Sequence, residues 1–368
     1  MADLTFDNVS VSALVAAVPK NIQSVETGLS DGSESYHKSF IRQIGISQRH
    51  ISLTGQTCTD LGYVAAKKAL EIADISSACL DAVIFMSQTP DFNPGTSNSF
   101  IVHNRLNMRK QAFAFDIPLA CSSFLYGISV CASFLQQQSI NKILMLCGDT
   151  VWSLYENESI LKTEFPFLGG EATVALILEK KKVEDKINLS LYSDGSGYKY
   201  LIRPNEGAKN KWGQFKFQVR SGENNIEINY PYMDGLEITS FATSTVSDSI
   251  KEFLKSQDKT ADDYDALILH QANKQIVKTI GRRVGFSNDK IPMTLDKYAN
   301  TDGASIPITI ADAFYKSDRT KLNLLCSGFG TGLSWAVGEL SINPKIIGPI
   351  IEVEDERFTD DFIHLRNQ

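Results

Sequence analysis

The sequence predicts an α/β protein built from two similar halves. Two observations carry that expectation. Apolar runs of strand length alternate with segments of helical spacing along most of the chain, the pattern that lays helices on the faces of a largely parallel sheet. The pattern also repeats. Asp81-Ala82-Val83-Ile84-Phe85 has a counterpart in Asp265-Ala266-Leu267-Ile268-Leu269 at an offset of 184 residues. Lys142-Ile143-Leu144-Met145-Leu146-Cys147-Gly148 has one in Lys321-Leu322-Asn323-Leu324-Leu325-Cys326-Ser327-Gly328 at an offset of 179. Chance matches among apolar strands are common, but agreement in order and offset implies a duplicated βα unit. The charged segment Lys180 to Lys186 marks the crossing between halves. The expected division is 1–185, 186–345 and a C-terminal extension, 346–368, with the acidic run Glu352-Val353-Glu354-Asp355-Glu356.

The elements follow in order. Residues 8–19 read as a strand ending at Pro19 and 20–38 as loop and short helix. Asp60 to Ala73 reads as a helix capped by Thr59 or Asp60. Asp81 to Met86 is a strand, Pro90, Pro94 and Gly95 lie in a loop, and Ser97 to Leu106 is a helix. A buried strand from Ala112 to Phe115 precedes a helix that ends near Gln137. Lys142 to Cys147 is again strand, 152–166 helix and loop, and Ala172 to Glu179 a β-run. Residues 200–232 are polar, with Trp212, Phe215, Phe217, Tyr230 and Tyr232 interspersed, and read as an excursion in which a hairpin at a substrate entrance is one option.

With 368 residues, 43% apolar and 21% charged, the chain has the composition of globular material able to bury a large core. A net charge of -7 argues against a generic nucleic-acid partner. No apolar run approaches the roughly 20 residues that span a bilayer, and the N-terminus lacks the basic-then-apolar pattern of a secretory signal. The cysteines at 58, 79, 121, 131, 147 and 326 have no zinc-type spacing, and the five histidines form no His-x-x-x-His pair. No metal is assigned, and a reduced cytoplasmic protein is the simplest reading.

Three polar residues stand at strand ends or loops. Cys121 falls where the strand ending near Phe115 passes into the following helix. The unpaired N–H groups of a first helical turn favour thiolate over thiol, which suits a nucleophile. His270 follows the apolar run from Ala266 to Leu269, and Asn300 lies in Ala299-Asn300-Thr301-Asp302-Gly303-Ala304-Ser305-Ile306-Pro307 ahead of a helix. Singly, each has an ordinary explanation: a small buried hydrophobe, a structural histidine, a turn former. The joint occurrence in order, with matching flanks, decides the reading.

The three segments together resemble the ketoacyl synthase III branch of the thiolase-like condensing enzymes. The resemblance covers most of residues 8–340, and His270-Gln271-Ala272-Asn273 is its most specific motif. It implies a thiolase-like fold of two duplicated α/β halves in five αβαβα layers. It also implies a homodimer and decarboxylative Claisen condensation of an acyl thioester with a malonyl-type thioester or β-keto acid. Cys121 would carry the acyl group, while His270 and Asn300 would supply donors to the enolate oxygen. The backbone N–H groups of Cys121 and Thr331, the latter in Gly328-Phe329-Gly330-Thr331-Gly332-Leu333-Ser334-Trp335, would form an oxyanion hole. No cofactor is needed beyond thioesters of coenzyme A or phosphopantetheine. Lys274, Lys278 and Arg282 share one helix face beside Arg283 and form a candidate docking stripe for an acidic carrier protein, or an ordinary solvated face. From Met233 to Leu254 the chain resembles the family's long helix.

Two departures stand out. Ser39, Phe40, Gln43 and Ile44 occupy the place of the Trp-Ile-x-x-Arg-Thr segment with which bacterial relatives hold the nucleotide of coenzyme A. Leu168-Gly169-Gly170-Glu171-Ala172-Thr173-Val174 replaces the usual Gly-Asp-Gly-Ala-Gly-Ala run, leaving Glu171 to contact a partner subunit or line a pocket. Two other functions stay open: acyl transfer from Cys121 to an oxygen or nitrogen nucleophile without decarboxylation, and a non-catalytic pairing subunit of a synthase complex.

Overall fold

The computed structural model describes residues 2–28, 34–92, 96–151, 165–202, 217–221, 224–228 and 232–357. The segment 152–164, read above as helix and loop, lies outside them. The strands that build the body are β1 (Ala2–Phe6), β2 (Val9–Pro19), β3 (Ala82–Met86), β4 (Phe113–Ile117), β5 (Lys142–Asp149), β6 (Ala172–Lys180), β7 (Ile187–Ser193), β8 (Ala266–Leu269), β9 (Leu322–Gly330), β10 (Ser334–Ile342) and β11 (Ile347–Val353). They form a six-stranded sheet in the order β11-β2-β6-β5-β3-β4 and a five-stranded sheet in the order β1-β7-β10-β9-β8.

The duplication is visible in the pairing. In the first sheet β3 runs parallel to β5, β5 antiparallel to β6, and β6 antiparallel to β2. In the second, β8 runs parallel to β9, β9 antiparallel to β10, and β10 antiparallel to β7. Sheet membership crosses the boundaries drawn at 185 and 345 at both ends of the chain. β1 pairs with β7 in the second sheet, and β11, inside the supposed extension, pairs parallel to β2 in the first.

The principal helices are α1 (Glu34–Ile44), α2 (Cys58–Ala73), α3 (Asn98–Arg105), α4 (Ser123–Leu135), α5 (Gly235–Phe241), α6 (Ser247–Ser256), α7 (Lys274–Arg283) and α8 (Ser305–Phe314). A π-helical turn, Ala242–Val246, joins α5 to α6, so the expected long helix runs on with a local bulge. The cap of α2 is Thr57 rather than Thr59 or Asp60. Asp60 is the third residue of the helix and accepts the Thr57 backbone N–H at 3.0 Å, a capping box that pairs two otherwise orphaned groups.

Strand alternation explains the layers. Val83 and Phe85 pack outward against Ala65, Ala69 and Val102 of α2 and α3. Their neighbours Ile84 and Met86 pack inward with Phe124 and Ile128 of α4 and Ile306 and Ile310 of α8. On the second sheet Leu267 and Leu269 face α6 and α7, while Ala266 and Ile268 join the same central core. The result is five layers, α2/α3, sheet, α4/α8, sheet, α6/α7. Each fully buried side chain of this size contributes about 1.5–3 kcal/mol, which makes the central layer a stiff mount for what projects from its ends. In the 200–232 excursion, Phe217–Ser221 and Asn224–Ile228 form a hairpin, and Leu201–Ile202 pairs with Tyr232–Met233.

Candidate active site

Cys121 lies in the turn between β4 and α4. Ser122 is the helix cap, and the Ser123 N–H bonds the Ala120 carbonyl at 2.8 Å. From the other half, alternate residues of β9 face the central layer, so Gly328 and Gly330 meet this turn. A Cβ on Gly330 would stand 2.8 Å from the Cys121 Sγ, and one on Gly328 would stand 2.9 Å from the Cys121 carbonyl oxygen. Glycine here is a condition of close approach, because any side chain would occupy the thiol's place.

His270 continues the inward alternation of Ala266 and Ile268 just past β8. Its N–H bonds the Ser327 carbonyl at 2.9 Å, and its ring stands edge-on to Phe329 at 5.3 Å. The ring Nδ1 lies 2.7 Å from the Ser305 Oγ, and that hydroxyl also lies 2.7 Å from the Asp302 carbonyl. Burial pushes the imidazole down to about 3, against the opposing hydrogen bond from Asp302. The ring is therefore neutral at working pH.

Asn300 is held by the first half of the chain. Its N–H donates to the Leu168 carbonyl at 3.0 Å and its carbonyl accepts the Gly170 N–H at 2.8 Å. The unusual Gly169-Gly170 run thus supports the asparagine, and a Cβ on Gly170 would collide with the Tyr298 carbonyl. The side-chain Oδ1 accepts the Asp302 N–H at 2.9 Å, which turns the carboxamide oxygen back on its loop and leaves the NH2 end to donate.

Asp302 stands among all three residues. Its N–H bonds the Asn300 Oδ1, its carbonyl lies 2.7 Å from the Ser305 hydroxyl that meets the His270 ring, and its negative charge acts on the Cys121 thiol. The backbone there is left-handed, φ +52°, a conformation aspartate and asparagine tolerate better than most residues. The thiolate expected from the helix N-terminus is corrected by this neighbourhood. Burial first, then the charge and hydrogen bond of Asp302, then Asp149, push the Cys121 thiol well above its ordinary value. The helix begins after Cys121, and a few aligned N–H groups do not offset burial next to a carboxylate.

The models for 3-oxoacyl-[acyl-carrier-protein (ACP)] synthase III and for its C-terminal part match residues 115–195 and 254–341. The beta-ketoacyl-[acyl-carrier-protein] synthase III of Clostridium tetani is 33% identical over 79% of this chain and 86% of its own. That of Sulfurovum is 30% identical over 89% of this chain and 94% of its own. The chain belongs to the ketoacyl synthase III family. The crystal structure of 3-oxoacyl-(acyl-carrier protein) synthase from Burkholderia xenovorans shares the fold, with a TM-score of 0.83, 24% identity and coverage of 96% of this chain and 99% of that one. The protein is thus an acyltransferase-type condensing enzyme of thiolase-like fold.

Other residues singled out in the sequence take their places on this synthase fold. The Ser334 hydroxyl donates to the Thr331 carbonyl at 2.7 Å and lies 2.7 Å from the Ser122 Oγ, tying the glycine turn to the Cys121 turn. Lys278 and Arg282 are exposed on α7 and Lys274 is half-buried, its stem against Gly45, while Ile276, Val277 and Ile280 form the buried face. Phe40 is a core residue packed edge-on against Phe167 at 5.9 Å, and Gln43 bonds Ser39 along its own helix at 3.0 Å. Glu171 is fully buried, and its carboxylate accepts the Ser52 N–H at 2.5 Å.

Sequence reading missed Asp302 and Ser305 as members of the site, although both stand in the loop it quoted. The local signal was the turn itself. Only the packing of one half on the other brings that turn to the thiol. Among the described residues no group of side chains could hold a metal ion, and no helix is long and apolar enough to cross a membrane.

Proposed function

We propose that Cys121 accepts the acyl group of a thioester and that His270 and Asn300 stabilise the enolate formed when a malonyl-type partner loses carbon dioxide. Exchange of one thioester for another costs little free energy, so the acyl group can wait on the enzyme. The enolate then attacks the acyl-Cys121 carbonyl, and the N–H groups of Cys121 and Thr331 receive the second oxyanion. The observation that carries this reading is the packing of Gly330 on the Cys121 Sγ and of the 300–305 loop, which holds both Asn300 and the His270 partner Ser305, on the same turn. A neutral His270 whose Nδ1 accepts the Ser305 hydroxyl donates from Nε2, so it and the asparagine amide are uncharged donors, each worth about 10²–10³ in rate.

A primer on a phosphopantetheine arm fits better than coenzyme A, because Phe40 is spent on the core where relatives hold the nucleotide. The docking surface is the basic face of α7, and the enzyme works as a homodimer in the cytoplasm, where its six unpaired cysteines stay reduced.

The test is intact-mass analysis after incubation with acyl and malonyl thioesters on coenzyme A and on carrier protein. An acyl adduct on the wild type, absent from Cys121→Ala, is expected. Decarboxylation of malonyl thioester should fall about 10²–10³-fold in His270→Ala or Asn300→Ala. Absence of any adduct on the wild type sinks the enzyme reading. Loading without decarboxylation turns it into acyl transfer to an oxygen or nitrogen nucleophile.

A further inference from the structure

The two N–H groups read above as the oxyanion hole come from different halves of the molecule, 210 residues apart in the chain. Their spacing is therefore set by contacts between the halves. Each group is first fixed within its own half. On the Cys121 side, the Ser123 N–H closes the turn on the Ala120 carbonyl at 2.8 Å. On the other side, Gly330 pairs with Ser334 across β9 and β10, and Leu333 exchanges two backbone bonds of 2.9 Å with Asp194 at the end of β7.

Two buried hydroxyls then bridge the halves. Ser122 is the cap residue of α4, and a serine oxygen there normally accepts an N–H of the first helical turn. Here it makes no such bond, although the side chain is only 1% exposed. Its Oγ lies instead 2.7 Å from the Ser334 Oγ, which is 2.7 Å from the Thr331 carbonyl. A hydroxyl has one proton to donate, and a carbonyl oxygen can only accept. The order that uses both protons thus runs from Ser122 to Ser334 to Thr331. In a dry interior each bond of such a chain strengthens the next.

We propose that Ser122 and Ser334 are positioning residues, a hydroxyl bridge that holds the Thr331 N–H at its working distance from the Cys121 N–H. The proposal rests on the reading of Cys121 as the acyl-bearing nucleophile with those two N–H groups as its oxyanion hole. The bridge acts on position 331 from both sides. The pairing of Gly330 fixes the peptide that carries the Thr331 N–H, and the bond from Ser334 fixes the carbonyl that follows it. Gly332, at φ +128°, leaves the turn free to drift once that bond is lost. A displacement of about 1 Å at such a site costs up to about 10²-fold in rate.

The experiment compares two reactions of the Cys121 sulfur in the wild type, Ser122→Ala, Ser334→Ala and the double variant. Acyl loading from a thioester, followed by rapid-mixing intact mass, builds an oxyanion on the attacked carbonyl. Alkylation by iodoacetamide, followed by the mass of the Cys121 peptide, displaces iodide from a saturated carbon and builds none. Loading at saturating thioester should fall about 10–10²-fold in each single variant, while alkylation keeps its wild-type rate. The double variant should lose no more than the worse of the two single ones, since either change breaks the same bridge. Losses that multiply in the double variant overturn the proposal, because the two hydroxyls then act separately. Loading and alkylation falling together also overturn it, because the sulfur itself has then moved, and so does loading at the wild-type rate. Failure of the underlying reading looks different: the wild type then takes no acyl group on Cys121, while iodoacetamide still labels it.

Discussion

His270 shows how a buried residue couples function to stability. Its imidazole titrates near 6.5 when free and is pushed down to about 3 in the fold by burial. Between those values the unfolded chain binds a proton that the native state refuses. The stability this neutral ring contributes is thus present above 6.5 and is lost as pH falls toward 3. The thermal midpoint of the wild type should drop across that window, and the drop should be smaller in His270→Gln, as followed by calorimetry at stepped pH. An equal drop in both assigns the acid sensitivity to other groups. Cys121, His270 and Asn300 were legible in the sequence because each stands at a strand end or loop with recognisable flanks. Asp302 was not, because its loop meets the Cys121 turn across positions 181 residues apart and no local pattern encodes that.

At the scale of elements, two features lend themselves to test. The glycines of β9 let one half approach the other, and Gly330→Ala would drive a methyl to within 2.7 Å of the Cys121 Cβ. Overpacking of this kind costs about 1–3 kcal/mol. Chemical denaturation should show that loss, and acyl loading should fall with it. On α7, the pair Lys278→Glu and Arg282→Glu alters exposed side chains opposite a face of buried isoleucine and valine. Turnover of carrier-linked substrate should weaken while small thioester mimics are used as before; equal loss with both rules out docking there. Helix and strand assignments came readily from apolar spacing, since burial on one or both faces writes that spacing into the chain. The cap at Thr57 was harder to place. Thr57, Thr59 and Asp60 all suit helix starts, and only the reciprocal bond between Thr57 and Asp60 decides among them.

Across the whole molecule, the repeat of strand order and direction was readable from two offset matches, whereas the exchange of terminal strands was not. β1 and β11 are short edge strands of five and seven residues, and an edge strand announces neither its sheet nor its partner. Ile347 and Val353 bury their side chains, and the Lys20 N–H bonds the Val353 carbonyl at 2.9 Å. Ending the chain after Ile346 should therefore lower the melting temperature by several degrees and raise aggregation from the uncovered edge of β2, measured by scanning calorimetry and light scattering. An unchanged midpoint would make β11 an ornament.

That last strand also bears on how the protein is made. A ribosome releases the chain from its amino end, so the sheet carrying Cys121 forms while its outer lane beside β2 is still empty. The second sheet, by contrast, waits for its later strands with β1 long since at hand. Completion of the first sheet waits for the stretch up to Val353, well over 300 residues after β2. Nascent chains stalled before that point should remain open to strand exchange with their neighbours, and the finished molecule should unfold as one body rather than as two separable halves.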